Sequence, residues 1–345
     1  MNLITIASAF PNQRFTQQQC LDAMREAYFW PKLKPGFRYL LEKILNGNSG
    51  ISERRFSMNN LTDAWERDSQ QLNEYYEKEA PVLAELAAIK ALDKSNLNIK
   101  DIDAIFICSC TGYLCPGLSS YVAECLGMNE DAYLQDLTGL GCGAAIPMLE
   151  AAAGYLSLHP ESNVLTIAVE VCSAAFYVEN DPGVLISTCI FGDGASAALW
   201  SGKRQKQIRW KIDHFKSLHS PEHREMIRFT NAQGKLRNQL HRDVPQLAAN
   251  TVKKLYEERH TEDVAIVTHG GGREVITALE KSLNIDKLHY ARAVMQQYGN
   301  LSSPSVLVAL EMLLKQPLKN SEAQTIWMCS FGAGFSAHSC ELKST

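Results

Sequence analysis

Apolar residues concentrate in short runs at 3–7, 102–109, 164–169, 195–200, 264–268 and 325–329. Runs of this length predict buried β-strands. Helical spacing fills several of the intervals between them. The stretch "APVLAELAAIKALDKS", from Ala80, puts Val82, Leu83, Leu86, Ala87 and Ile89 on one side of a helix. A second helix, beginning near Ala144, buries Ala145, Met148, Leu149, Ala152 and Leu156. Strands and helices in alternation predict an α/β fold.

The pattern also repeats. "DAIFICSCTG" (103–112) resembles "DVAIVTHGGG" (263–272), "GCGAAIPMLEAA" resembles "GNLSSPSVLVAL", and "FGDGASAAL" resembles "FGAGFSAHS". Each match is short, but the three occur in the same order, which predicts a duplicated core. The expected halves are 1–205 and 206–345, divided within "SGKRQKQIRWK" (201–211), where apolar periodicity lapses. Residues 11–73 have no counterpart in the second half and are expected to form a helical elaboration.

Composition narrows the partners. With 34 basic and 38 acidic residues, a net charge of −4 and no basic stripe, nucleic acid is not an expected partner. No apolar run is long enough to span a bilayer, and the first residues lack a basic segment followed by an apolar one, so a cytoplasmic protein is expected. The ten cysteines, many in apolar runs, read as reduced core thiols rather than a disulfide framework. "CSCTGYLC" offers Cys108, Cys110 and Cys115, but no second cysteine pair completes a four-ligand set. Neither a metal nor a cofactor is expected.

Three residues could carry chemistry. Cys142 lies between Gly141 and Gly143, close before a helix whose first turn tolerates Pro147. A thiol at a helix start is favoured as thiolate, the nucleophilic form; the other reading is a core cysteine in a seam of small residues. His269 ends the strand "VAIVT" and opens into three glycines, a place where α/β folds present functional side chains. It would serve as the partner of a thiol nucleophile, or else bond to backbone at a strand end. Asn300 occupies the slot of Cys142 in the second copy, where its amide could donate to an oxyanion or cap a helix.

Taken together, "GLGCGAA", "EVCSAAF", "CIFGDGASAAL", "THGGGREVI", "YGNLSSPSV" and "SFGAGF" resemble a type III polyketide synthase of the chalcone and stilbene synthase superfamily. "EVCS" looks more like the bacterial alkylpyrone and alkylresorcinol synthases. The resemblance implies a thiolase-like fold, a duplicated five-layered α-β-α-β-α core. It implies an acyltransferase that loads an acyl starter from acyl-CoA onto Cys142 and extends it with malonyl-CoA by decarboxylative Claisen condensation. A pyrone or resorcinol-type product would follow. A single-step ketoacyl synthase, a thiolase using Cys329 as a second cysteine, and a non-catalytic scaffold are the rival readings.

By the same resemblance His269 and Asn300 hold the malonyl thioester carbonyl, and Phe191 gates the CoA tunnel. Cys115, Cys172, Ala175, Ser302, Phe331 and Gly332 line the elongation cavity, with Cys115 reaching across a homodimer interface. The small Ala175 implies a roomy tunnel for a fatty acyl starter. Glu42, Leu45 and Ser49 stand where plant members carry basic residues, so Lys43, Arg54 and Arg55 are the candidates for gripping CoA phosphates. Failing them, the donor would arrive on an acyl carrier protein. Gly270 stands where the family commonly has proline.

Overall fold

Nine strands hydrogen-bond into a single sheet: β1 (Asn2–Ala9), β2 (Ala104–Cys108), β3 (Tyr133–Leu137), β4 (Asn163–Glu170), β5 (Gly194–Ser201), β6 (Trp210–His219), β7 (Ala265–Thr268), β8 (Thr325–Gly332) and β9 (Ser336–Ser344). Their order is β3-β2-β4-β5-β1-β6-β9-β8-β7. This computed structural model describes residues 1–203, 210–316 and 325–344. The expected boundary between halves, at 205/206, lies outside the described residues.

The topology is the same twice. Outward from the centre, β1-β5-β4-β2 and β6-β9-β8-β7 each pair antiparallel, antiparallel, then parallel. Only the first copy adds a further parallel edge strand, β3. The copies join through a short antiparallel contact, Asn2 against Lys211 and Leu3 against Trp210.

Alternation along the strands sorts the core into layers. Ile105 and Ile107 of β2 face an outer cluster with the helices α1 (Ser69–Leu92) and α2 (Leu118–Leu126), while Ala104, Phe106 and Cys108 face a central cluster. In β8, Trp327, Cys329 and Phe331 face an outer cluster with α5 (Val244–Glu257) and α6 (Arg273–Leu283), whereas Ile326 and Met328 face the centre. Between the two half-sheets lie α3 (Ala145–Leu158) and α8 (Ser305–Leu314). The result is helix, sheet, helices, sheet, helix: the five-layered thiolase-like core.

Two expectations need correction. In α1 the packed face is made of Leu83 and the alanines at 80, 84, 87, 88 and 91, and Val82, Leu86 and Ile89 are exposed. Small side chains let the helix lie close on β1 and β5, so its larger apolar residues are turned outward. Residues 11–73 are also not wholly helical, because Gln13–Thr16 pairs antiparallel with Glu53–Phe56. The strands that apolar runs did not predict are β3, β6 and β9. The first is a half-exposed edge, the second alternates apolar and polar, and the third is rich in serine yet buried between two neighbours.

Candidate active site

The carboxyl ends of the parallel strands and the starts of the two central helices converge, as ligand sites in α/β sheets do. From β2 comes Ser109-Cys110-Thr111, from β4 Glu170 and from β7 His269. Ahead of α3 lies Cys142, and ahead of α8 lies the run Asn300 to Ser303.

Cys142 sits in a short 3-10 turn, Gly141–Gly143, with Gly141 at φ +55°. A left-handed residue there costs glycine little. The turn is pressed against the end of β8: a Cβ on Gly332 would lie 2.5 Å from the Gly143 nitrogen and 2.9 Å from that of Cys142. Ser330 Oγ donates to the Gly143 carbonyl at 2.8 Å, fixing the same contact. Gly332→Ala is therefore expected to push the nucleophile's turn out of place, because neither backbone can yield. Cys142 alkylation by iodoacetamide should change at least several-fold while far-ultraviolet circular dichroism stays native.

The residue as a whole is partly exposed, although its thiol lies deep. Ser302 Oγ donates to its sulfur at 3.2 Å. Burial nonetheless raises the thiol to about 12; the Ser302 bond opposes this and the Glu170 charge adds to it. The expected resting thiolate is thus corrected to a neutral thiol, since desolvation outweighs the helix start.

His269 is buried, its ring centroid 5.1 Å from that of Phe331. Its main-chain N–H donates to the Cys329 carbonyl at 2.9 Å, but Nδ1 has no hydrogen-bond partner among the described residues. The ring's Nδ1 is thus not tied to backbone. Burial lowers its pKa to about 3, so the imidazole is neutral. An unfolded histidine titrates near 6.5, so acid favours the unfolded chain as pH falls from about 6.5 toward 3. His269→Gln should therefore lose less stability than the parent between pH 6.5 and 4, by roughly 3 kcal/mol, read from urea unfolding at each pH.

Asn300 is committed on both ends. Nδ2 donates to the Gly271 carbonyl at 2.8 Å, and Oδ1 accepts from the Ser302 N–H at 2.8 Å. The second bond closes a local turn, and the residue capping α8 is Pro304, not Asn300. One amide proton remains to donate. Ser302, which joins Asn300 to Cys142, is held at φ +57°, a costly conformation for a residue with a Cβ.

Two residues of this cluster escape a reading of motifs alone. Glu170 is fully buried and accepts from Cys110 N at 2.9 Å, Thr111 Oγ1 at 2.9 Å and Ser303 Oγ at 2.6 Å. Burial holds its pKa above the usual carboxylate range, and the surrounding donors restrain the rise. Cys110 places its sulfur 3.2 Å from Glu170 Oε1 and 3.3 Å from Ser302 Oγ. The signal was a lone acid ending an otherwise apolar strand, "VLTIAVE".

Beside this cluster is a narrow cavity of about 20 Å³, lined in part by Cys110, Cys172, Ala175, Phe191 and Ser302. Phe191 lines it while its backbone bridges to Asn300. The neighbours of Ala175 limit the space: Phe176 and Tyr177 line it too, and Phe229 from the hairpin strand Ile227–Ala232 closes one side. Phe331 and Gly332 are not on this cavity and the expectation for them is corrected: the ring of one lies tilted beside His269, the other braces the Cys142 turn. Cys115 is exposed and does not line this cavity within one chain.

The phosphate-gripping set also changes. Arg54 is buried, donating from Nε to Gln17 Oε1 at 2.9 Å and from Nη1 to the Thr188 and Phe191 carbonyls. It supports the Phe191 backbone and cannot reach a solvent phosphate. Arg55 is half-buried and donates to the Pro11 carbonyl at 3.3 Å. Lys43 ends the helix Pro35–Lys43 and is exposed. Cys329 is buried on the outer face of β8, so it offers no second thiol to the cavity. Among the described residues, no helix is long and apolar enough to cross a membrane.

Residues 8–258 match the family described as FAE1/Type III polyketide synthase-like protein, and 219–344 match the chalcone and stilbene synthase C-terminal domain. The chain is 28% identical to the 1,3,6,8-tetrahydroxynaphthalene synthase of Streptomyces coelicolor, across 95% of this chain and 88% of that protein. It is 22% identical to the phloroglucinol synthase of Pseudomonas fluorescens, across 95% of each. Its fold superposes on PKS-I from the brown alga Ectocarpus siliculosus with a TM-score of 0.90 at 24% identity, covering 99% of this chain and 98% of that one. With a family match over most of its length and that match continued to its C-terminal end, the chain belongs to the type III polyketide synthase family and is an acyltransferase-type condensing enzyme.

Proposed function

We propose that the chain loads an acyl group from acyl-CoA onto Cys142, extends it repeatedly with malonyl-CoA, and releases a cyclised pyrone or resorcinol-type product. The observation that carries this reading is Ser302, whose hydroxyl reaches Cys142 while its N–H is held by Asn300. Nucleophile and oxyanion donor thereby share one rigid link.

The chemistry follows from the protonation states. Cys142 starts as a thiol and His269 as a neutral base, so the thiol proton passes to imidazole as sulfur attacks the thioester carbonyl. The carbon–sulfur bond to CoA breaks, and the leaving thiolate takes that proton. Malonyl-CoA then loses carbon dioxide, and the electron pair of the broken C–C bond becomes an enolate. The free amide proton of Asn300 and an N–H of His269 stabilise its oxygen. The enolate carbon attacks the acyl-cysteine, forming the new C–C bond and releasing Cys142.

Cavity volume bears on the starter. Cys172, Ala175 and Ser302 line the cavity with Phe176, Tyr177, Phe191 and Phe229, and together they leave room for little more than a water molecule. A homodimer belongs to the same reading: β3 is an edge strand with Tyr133 and Leu134 exposed, and Tyr113 and Cys115 are exposed on the loop that leaves its neighbour β2. Free CoA thioesters are the proposed donors, with carrier-protein delivery the variant that Arg54's internal role leaves in play.

Mass spectrometry of products from the purified protein, malonyl-CoA and acyl-CoAs of two to sixteen carbons tests this. Multiply extended, decarboxylated lactone or aromatic products are expected. A single β-ketoacyl thioester would instead make it a one-step ketoacyl synthase.

A further inference from the structure

Along the pair β6 and β9, in the interior of the sheet, two imidazoles and two carboxylates meet. The β6–β9 register shifts between Ser339 and Glu341, and the bulge it creates holds His214 at φ +52°. Bulges of this kind re-aim side chains. His214 stacks on His260, ring centroids 3.9 Å apart. Glu341, almost fully buried, anchors the turn bearing His260 by accepting from the main-chain N–H groups of His260 and Thr261 and from Thr261 Oγ1 at 2.8 Å. One ligand atom from each of His214, His260 and Glu341 falls within 4.8 Å of the others.

The arrangement already gathers around a cation. Lys343 Nζ lies 3.2 Å from His260 Nδ1, 3.5 Å from Glu341 Oε2 and 3.9 Å from Asp213 Oδ1. Asp213 Oδ1 is shielded from solvent and accepts no hydrogen bond among the described residues, although His214 Nε2 is 3.4 Å away. Lys211 Nζ lies 4.0 Å from Asp213 Oδ2, and the amino terminus of Met1 also interacts with the Asp213 charge. An ammonium on a flexible stem is a replaceable occupant.

From this geometry we infer that His214, His260 and Glu341 form a binding site for a divalent transition metal of the zinc type, with Asp213 as a fourth donor and Lys343 as the built-in competitor the metal displaces. Imidazole and carboxylate are the donor set such ions take in tetrahedral sites. Bonds of about 2.0–2.1 Å put tetrahedral ligands roughly 3.4 Å apart, so the two exposed histidines must close in by about an ångström and turn out of their stack to aim both nitrogens at the metal. Bound metal would pin the turn after α5 to the bulged strand. No linear motif announces it, because the three ligands come from separate elements far apart in sequence.

Cobalt(II) is the probe, since its visible bands distinguish nitrogen and oxygen ligands from the ten thiols, whose ligation adds intense near-ultraviolet absorption. The full-length protein is expected to bind one Co²⁺ per chain with tetrahedral nitrogen/oxygen bands. His214→Ala and His260→Ala should each weaken binding by at least roughly tenfold, and Lys343→Met should tighten it. Polyketide formation by His214→Ala should match the parent, which shows that the variant is folded. Absence of saturable binding, thiolate-type absorption as the sole signal, binding that survives both histidine variants, or weaker binding in Lys343→Met would each overturn the assignment.

Discussion

Cys142→Ala is expected to abolish product formation, lowering turnover by at least about 10⁴-fold. The loss should also be traceable to one step. Intact-mass measurement of the parent incubated with acyl-CoA should show a single acyl adduct, and the variant none. The neighbouring Cys110 sharpens this expectation, because it lines the cavity and contacts the same Ser302 hydroxyl as Cys142. Its thiol is pushed well above its ordinary range, first by burial and then by the Glu170 charge beside it. Cys142 is raised too, but less directly, and Ser302 donates to it. Cys142 should therefore carry the acyl group and Cys110 should not replace it. An adduct or persistent product in the alanine variant would transfer the nucleophile's role elsewhere.

Asn300→Ala is expected to separate loading from extension. In the proposed mechanism the amide donates where the enolate oxygen develops charge, and loss of one such donor lowers the step by roughly 10²–10³-fold. Release of ¹⁴CO₂ from malonyl-CoA should fall by that factor, while acylation of Cys142 continues. The substitution also removes the bonds to Gly271 and to the Ser302 N–H. Asn300→Asp retains the acceptor for Ser302 but has no amide proton, so it should also fail in decarboxylation. Recovery in the aspartate variant would mean that the residue acts by positioning Ser302 instead.

Much of this was legible in the chain. Cys142, His269 and Asn300 stood out because glycines bracket strand ends and helix starts, and the repeat set the thiol and the amide in equivalent slots. Buried strands with continuous apolar runs were visible for the same reason that β9 was not: its serines are buried by neighbours on either side, which no local pattern records. The outward face of α1 was misread because alanine counts as weakly apolar yet permits the closest approach to a sheet. Arg54 looked like a phosphate ligand by sequence position alone, and only its burial against carbonyls from distant segments shows otherwise. Glu170 and Cys110 gain meaning through contacts made across β2, β4 and the Asn300 turn.

The short ladder between β1 and β6, two residue pairs long, has a consequence for how this enzyme fails. One copy of the fold supplies the thiol and the other supplies the amide and imidazole, so the active centre behaves as a coincidence detector. It reports only when both halves are seated against α3 and α8. Damage to that shared middle layer should silence turnover before either half-sheet melts, leaving an inactive protein that still looks folded. For an engineer, the seam between the copies is thus a control point independent of the chemistry.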